Sequence, residues 1–134
     1  MNTRNKTLAR HLVELFSGLT FLTALVLAAM PFAMGYPRSS ELTTMSVALG
    51  TLIATLSAAR ALGAYDARTF SAFNMALALL TLLSPWLLQH AQTHAFVRTH
   101  LVCGAIMLLC SSAAFTVSHL FRPIETHPWL HEAA

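Results

Sequence analysis

The chain has 134 residues, of which 56% are hydrophobic and only 10% charged, with a formal net charge of +3. Soluble domains carry about 25% charged residues, so this composition excludes an ordinary water-soluble domain. A mean hydropathy of +0.62 points to lipid as the solvent, and the basic residues are too dispersed to form a nucleic-acid patch.

Four apolar stretches follow in order, roughly Leu12 to Met34, Leu42 to Leu62, Phe70 to Leu88 and Val97 to Phe121. Each is near the roughly 20 residues that cross a hydrocarbon layer of about 30 Å as a helix. The sequence therefore predicts an all-α fold, a four-transmembrane-helix bundle filling residues 1–134 as one membrane domain. The first stretch follows a basic segment but is longer than the core of a signal peptide, so it is read as a spanning helix. The connections near Gly35 to Glu41, Gly63 to Thr69 and Gln89 to Phe96 are too short to hold a further domain. The tail, residues 122–134, contains Pro123 and Pro128, which should stop the fourth helix. Trp129 and Leu130 in that tail are placed on the membrane surface or against a partner.

Arg4, Lys6, Arg10, Arg60, Arg68 and Arg122 fall at one end of the helices, and Arg38 and Arg98 at the other. The positive-inside rule then places both termini in the cytoplasm. Cys103 and Cys110 are seven residues apart on one predicted helix, about 10.5 Å along its axis. That exceeds the reach of a disulfide, so both are expected to pack as small apolar residues.

A shift of 54 residues places Pro31 on Pro85, Phe32 on Trp86, Gly50 on Gly104, Ser57 on Ser111 and Ala59 on Ala113 without a gap. The bundle is thus expected to be two tandem helical hairpins, repeat 1 about 12–62 and repeat 2 about 70–121. An even number of crossings per unit relates them by an axis along the membrane normal. The segment Phe73-Asn74, then Leu82-Leu-Ser-Pro-Trp-Leu-Leu88, then Val102-Cys-Gly-Ala-Ile106 resembles one unit of the SPW-repeat family of small prokaryotic membrane proteins. The resemblance covers the second half. The first half has Met30-Pro31-Phe32 in place of Ser84-Pro85-Trp86, and its assignment rests on the register of Pro31 and Gly50. The resemblance implies a fold, a place in a prokaryotic inner membrane and little function, since no biochemical activity is established for that family.

Pro85 has no amide hydrogen and deprives the Thr81 carbonyl of its partner. A helix stopping at Leu83 would span about 21 Å from Phe70, too short to cross, whereas continuing through Gln89 gives about 30 Å. Pro85 is therefore expected inside a continuing helix, with the Thr81 and Ser84 hydroxyls relieving the disturbed backbone. Trp86 is expected at headgroup level, and Ser84-Pro85-Trp86 is read as an architectural corner.

The second helix carries Ser46, Gly50, Ala54 and Ala58, a small residue at every fourth position that permits close helix approach. On the fourth, Gly104, Ser111 and Ser118 recur at intervals of seven. These faces are expected either to close the bundle or to meet another subunit or a second copy. Glu14 is expected to pair with Arg10 four residues earlier. No ionisable residue falls near mid-helix, which argues against proton-coupled transport and ion conduction.

Histidine is the conspicuous polar residue, with seven in the chain. Two ligand sets present themselves, His90, His94 and His100 around the loop before the fourth helix, and His11 with His119 near the opposite end. Neither has a spacing specific to a metal or haem, and no cofactor is predicted. No nucleophile–base set, phosphate loop, zinc signature or dinucleotide fingerprint is present. The sequence thus reads as a non-enzymatic membrane protein in contact with lipid, acting as an accessory or assembly subunit packed on a larger membrane complex or on itself. The alternatives are a histidine-based haem or metal redox protein and small-solute transport.

Overall fold

A computed structural model describes residues 3–37, 40–62, 67–87 and 94–120. Among them are four α-helices, α1 (Thr3–Ala33), α2 (Glu41–Ala61), α3 (Ala67–Leu87) and α4 (His94–Leu120). Their 31, 21, 21 and 27 residues correspond to roughly 46, 32, 32 and 40 Å. All four are long and apolar enough to span a membrane. Helix α1 begins well before Leu12 and α4 before Val97. An apolar run marks where lipid begins, whereas backbone hydrogen bonding continues into the polar flank. Phe96, expected in a loop, is consequently a buried residue of α4. Leu88, Phe121, His90 and the tail lie outside the described residues.

Local chemistry fixes the turn between α1 and α2. Gly35 adopts φ +72, a left-handed conformation that glycine enters without a Cβ clash. Its N–H donates to the Phe32 carbonyl at 3.2 Å and the Tyr36 N–H to the Pro31 carbonyl at 2.9 Å, the paired bonds of a Schellman stop. Ser40 then caps α2, its Oγ accepting from the Thr43 N–H at 3.2 Å.

Pro31 and Pro85 both lie inside helices. The carbonyl that Pro85 leaves without a backbone donor belongs to Thr81, and the Ser84 hydroxyl donates to it at 2.8 Å. Serine thus precedes proline because its hydroxyl replaces the missing amide in a buried site where water cannot. The Thr81 hydroxyl donates elsewhere, to the Leu77 carbonyl. Ser84→Ala is expected to destabilise the protein by about 1–3 kcal/mol, the cost of an unmet buried acceptor. In the double variant Ser84→Ala/Pro85→Ala most of that loss should return, because alanine in place of the proline restores a backbone donor. Denaturation in detergent, read as a double-mutant cycle, tests this, and additive losses would exclude the pairing.

Each hairpin packs on itself, and the hairpins join along an α1–α4 seam and a slimmer α2–α3 seam. Ala24, Leu27, Leu49, Ile53, Ala54, Ala78, Cys103 and Met107 form the apolar core. Positions 54 apart share environments. Ala24 and Ala78, Leu27 and Thr81, Ile53 and Met107, and Ser57 and Ser111 are all fully buried, while Phe32 and Trp86 are 52% and 53% exposed. The glycine contacts repeat as well. A Cβ on Gly50 would meet Ala28 and one on Gly104 would meet Leu82, two residues themselves separated by that interval.

Candidate functional site

Two equivalent residues of a repeat can touch each other only where they straddle the axis relating the halves. Ser46 and His100 do so, with Ser46 Oγ 3.2 Å from His100 Nε2 at a sequence separation of 54. Ser17 and Ser71 are bridged at the other end, where α1 begins and α4 finishes, by the guanidinium of Arg60. Its Nε donates to Ser17 Oγ and its Nη1 to Ser71 Oγ, each at 2.7 Å. The position equivalent to Arg60 is Ala114, also buried, so one cation occupies a place where two would repel.

Arg60 keeps its expected place beside the loop after α2, and the structure adds where its side chain goes. Its backbone is at the end of α2, beside the loop, but its side chain turns into the bundle and is 3% exposed. Arginines near helix ends ordinarily extend toward water. Inward rotation here is held by hydroxyls from two other helices. Ser17 completes its own bonding by donating to the Val13 carbonyl at 2.5 Å. One turn deeper, Asn74 Nδ2 donates to Ser57 Oγ at 3.0 Å. Helices α1, α2 and α3 thus contribute to one polar cluster.

That cluster is incompletely satisfied. Arg60 Nη2 and Asn74 Oδ1 are buried and have no hydrogen-bond partner among the described residues, as is also true of Ser111 Oγ on α4. Nor does a described carboxylate neutralise the cation. Glu14 is held by Arg10 at 2.8 Å, as expected, and Glu41 is exposed at the opposite end of α2. A guanidinium surrounded by neutral hydroxyls bears a desolvation cost that these bonds only partly offset.

The histidines divide differently from either expected set. His94 is exposed at the start of α4, whereas His100 is 1% exposed, with Nδ1 3.1 Å from the Phe96 carbonyl and its ring 3.9 Å from that of Phe96. His11 lies 3.4 Å from Glu14 and His119 is exposed beside Phe115. Among the described residues, no group of three or more His, Cys, Asp or Glu side chains is placed to hold a metal. Cys103 and Cys110 are free and buried.

The packing faces are largely used internally. Ser46, Gly50 and Ala54 are buried, Ala58 is half-buried, and Gly104 and Ser111 are buried. Gly50 meets the Ala24 carbonyl and Ala28 of α1, and Gly104 meets Leu82 of α3. Arg60, Ser17, Ser57, Ser71 and Asn74 were not legible as a site. The recurrence of serine at 17 and 71, and at 57 and 111, was the available signal.

Four long apolar helices, two halves in matching environments and a polar cluster on their axis define a small helical membrane protein with an internally repeated bundle. The SPW repeat domain matches residues 14–114, and the chain belongs to that family. No curated protein and no solved structure matches it.

Proposed function

We propose that this protein handles a small solute, binding a compact oxyanion in the half of the bundle where α1 begins and α4 finishes. The supporting observation is the buried Arg60 guanidinium, forked between Ser17 and Ser71 with Nη2 unused. A buried intramembrane cation with no counter-charge among the described residues marks a substrate or ion site by default. Nη2 can only donate and the orphaned Asn74 Oδ1 can only accept. Together they suit an oxyanion that keeps one hydrogen, such as bicarbonate or monohydrogen phosphate. The slim α2–α3 seam is crossed by Arg60–Ser71 and Asn74–Ser57, so both bonds lie where the hairpins meet least. With the termini cytoplasmic, as the basic residues suggest, the site is reached from inside the cell. The role is non-enzymatic and invokes no cofactor.

Purified protein in an uncharged detergent should gain thermal stability saturably with bicarbonate or phosphate and less with chloride. Arg60→Met should remain folded and lose that gain. No saturable gain in the native protein, or its persistence in the variant, overturns the reading.

An accessory role in a larger membrane complex is the second reading. The small-residue face of α2, which first suggests it, is mostly spent against α1. What favours it instead is a groove of about 250 Å³ between α1 and α2, lined by Gly18, Phe21, Ala58, Ala61 and Leu62 over Ser17 and Ser57. The chemistry of that groove suits a transmembrane helix bearing a bulky apolar side chain. Stoichiometric co-purification of another membrane subunit from native membranes supports this reading, and isolation of the protein alone removes it.

A further inference from the structure

We infer that the end of the bundle remote from Arg60 holds a site for one soft monovalent metal ion, of the copper(I) class, with the Met30 and Met34 thioethers and His100 Nε2 as its ligands. The three side chains line one cavity. Its volume of about 10 Å³ is close to one water-sized sphere, room for a single atom. Met30 and Met34 are one helical turn apart, the Met34 N–H donating to the Met30 carbonyl at 2.9 Å. Their side chains therefore leave the same side of α1, just before Gly35 ends it.

His100 is prepared as a ligand. The Phe96 carbonyl, 3.1 Å from Nδ1, can only accept, so the neutral ring carries its hydrogen on Nδ1 and its lone pair on Nε2. Metal-binding histidines are usually oriented in this way by a backbone carbonyl. Ser46 Oγ, 3.2 Å from Nε2, donates its one hydrogen to the Leu42 carbonyl at 2.8 Å. With the hydroxyl turned to that shorter bond, the Nε2 lone pair is open to a metal. The ring itself is fully buried.

Ligand chemistry selects the ion. Thioethers favour copper(I) over zinc, calcium or magnesium, and three neutral ligands bury a monovalent ion at lower cost than a divalent one. Histidine alone points to His90, His94 and His100. Methionine from α1 completes the set instead, and the site is independent of the anion reading at the other end.

The test is a titration of full-length protein in nonionic detergent, under reducing conditions, with copper(I) in competition with the chromophoric chelator bicinchoninate. One equivalent should be retained, with sulfur and nitrogen neighbours in copper-edge X-ray absorption. Met30→Leu/Met34→Leu keeps the side-chain volume and removes both sulfurs, and should weaken retention at least tenfold. His100→Gln should weaken it similarly, while Cys103→Ser/Cys110→Ser should retain copper as the native chain does. The inference is overturned if the chelator removes all copper from the native protein, leaving the cavity a water pocket only. It is equally overturned if the methionine variant, shown folded by its melting curve, binds undiminished, or if the cysteine variant loses the metal.

Discussion

Gly50→Ala is expected to cost more stability than Gly104→Ala or Gly18→Ala, about 1–3 kcal/mol. Its added Cβ would stand 2.6 Å from the Ala24 carbonyl oxygen, 2.8 Å from Ala28 Cβ and 2.9 Å from the Ala28 nitrogen. Two of those atoms are backbone and the third is fixed to it, so relief requires α1 as a whole to move away from α2. That separation would open the best-packed seam in a solvent that supplies no hydrophobic restoring force. Gly104→Ala meets Leu82 Cγ at 2.8 Å, Cδ2 at 3.1 Å and the Leu82 nitrogen at 3.1 Å. Leucine can change rotamer, which leaves one tight backbone contact and a smaller loss. Gly18→Ala meets nothing within 4 Å and should be neutral or gain up to about 1 kcal/mol from helix propensity. Unfolding of the three variants in mixed detergent gives the order directly. Equal losses at positions 50 and 104 would contradict this packing.

Arg60→Met is expected to leave the folded protein as stable or to raise its stability by about 1–4 kcal/mol, the range seen when buried ionic groups yield to apolar residues of similar volume. Ser71→Ala should move stability the other way, by about 1–3 kcal/mol, because the guanidinium then loses one of its two acceptors while staying buried. Opposite signs for two partners in one hydrogen bond follow from where the charge resides. A bond to neutral serine lowers the cost of the cation without abolishing it. Retention of a destabilising group is what a binding function requires and a scaffold does not. A large loss of stability in Arg60→Met would make the residue a structural clamp and remove the main support for oxyanion binding. Equilibrium unfolding of the two variants beside the native protein distinguishes these outcomes.

The sequence by itself determined the number and order of helices, the family, and the internal repeat's landmarks at Pro31, Gly50, Pro85 and Gly104. These are local properties. A backbone in lipid must satisfy its hydrogen bonds within its own segment, so an apolar run of sufficient length commits to a helix whatever its neighbours do. The role of Ser84 was partly legible for the same reason, since the carbonyl it serves is three residues away. Only the tertiary structure decided which side chains meet on the axis. Arg60 lies next to a loop in sequence, and nothing local distinguishes an arginine that reaches outward from one turned in. Its direction is set by Ser17, 43 residues earlier, and Ser71, 11 residues later on another helix. His100 likewise fell within the predicted fourth helix near its loop, and only its burial and Ser46 across the axis set it apart from His94. Both sites occur where the halves differ, Arg60 against Ala114 and His100 against Ser46. Similarity between repeats fixes the shared scaffold, but a single buried charge or imidazole can occupy the axis only once, and which half supplies it depends on the packing of all four helices.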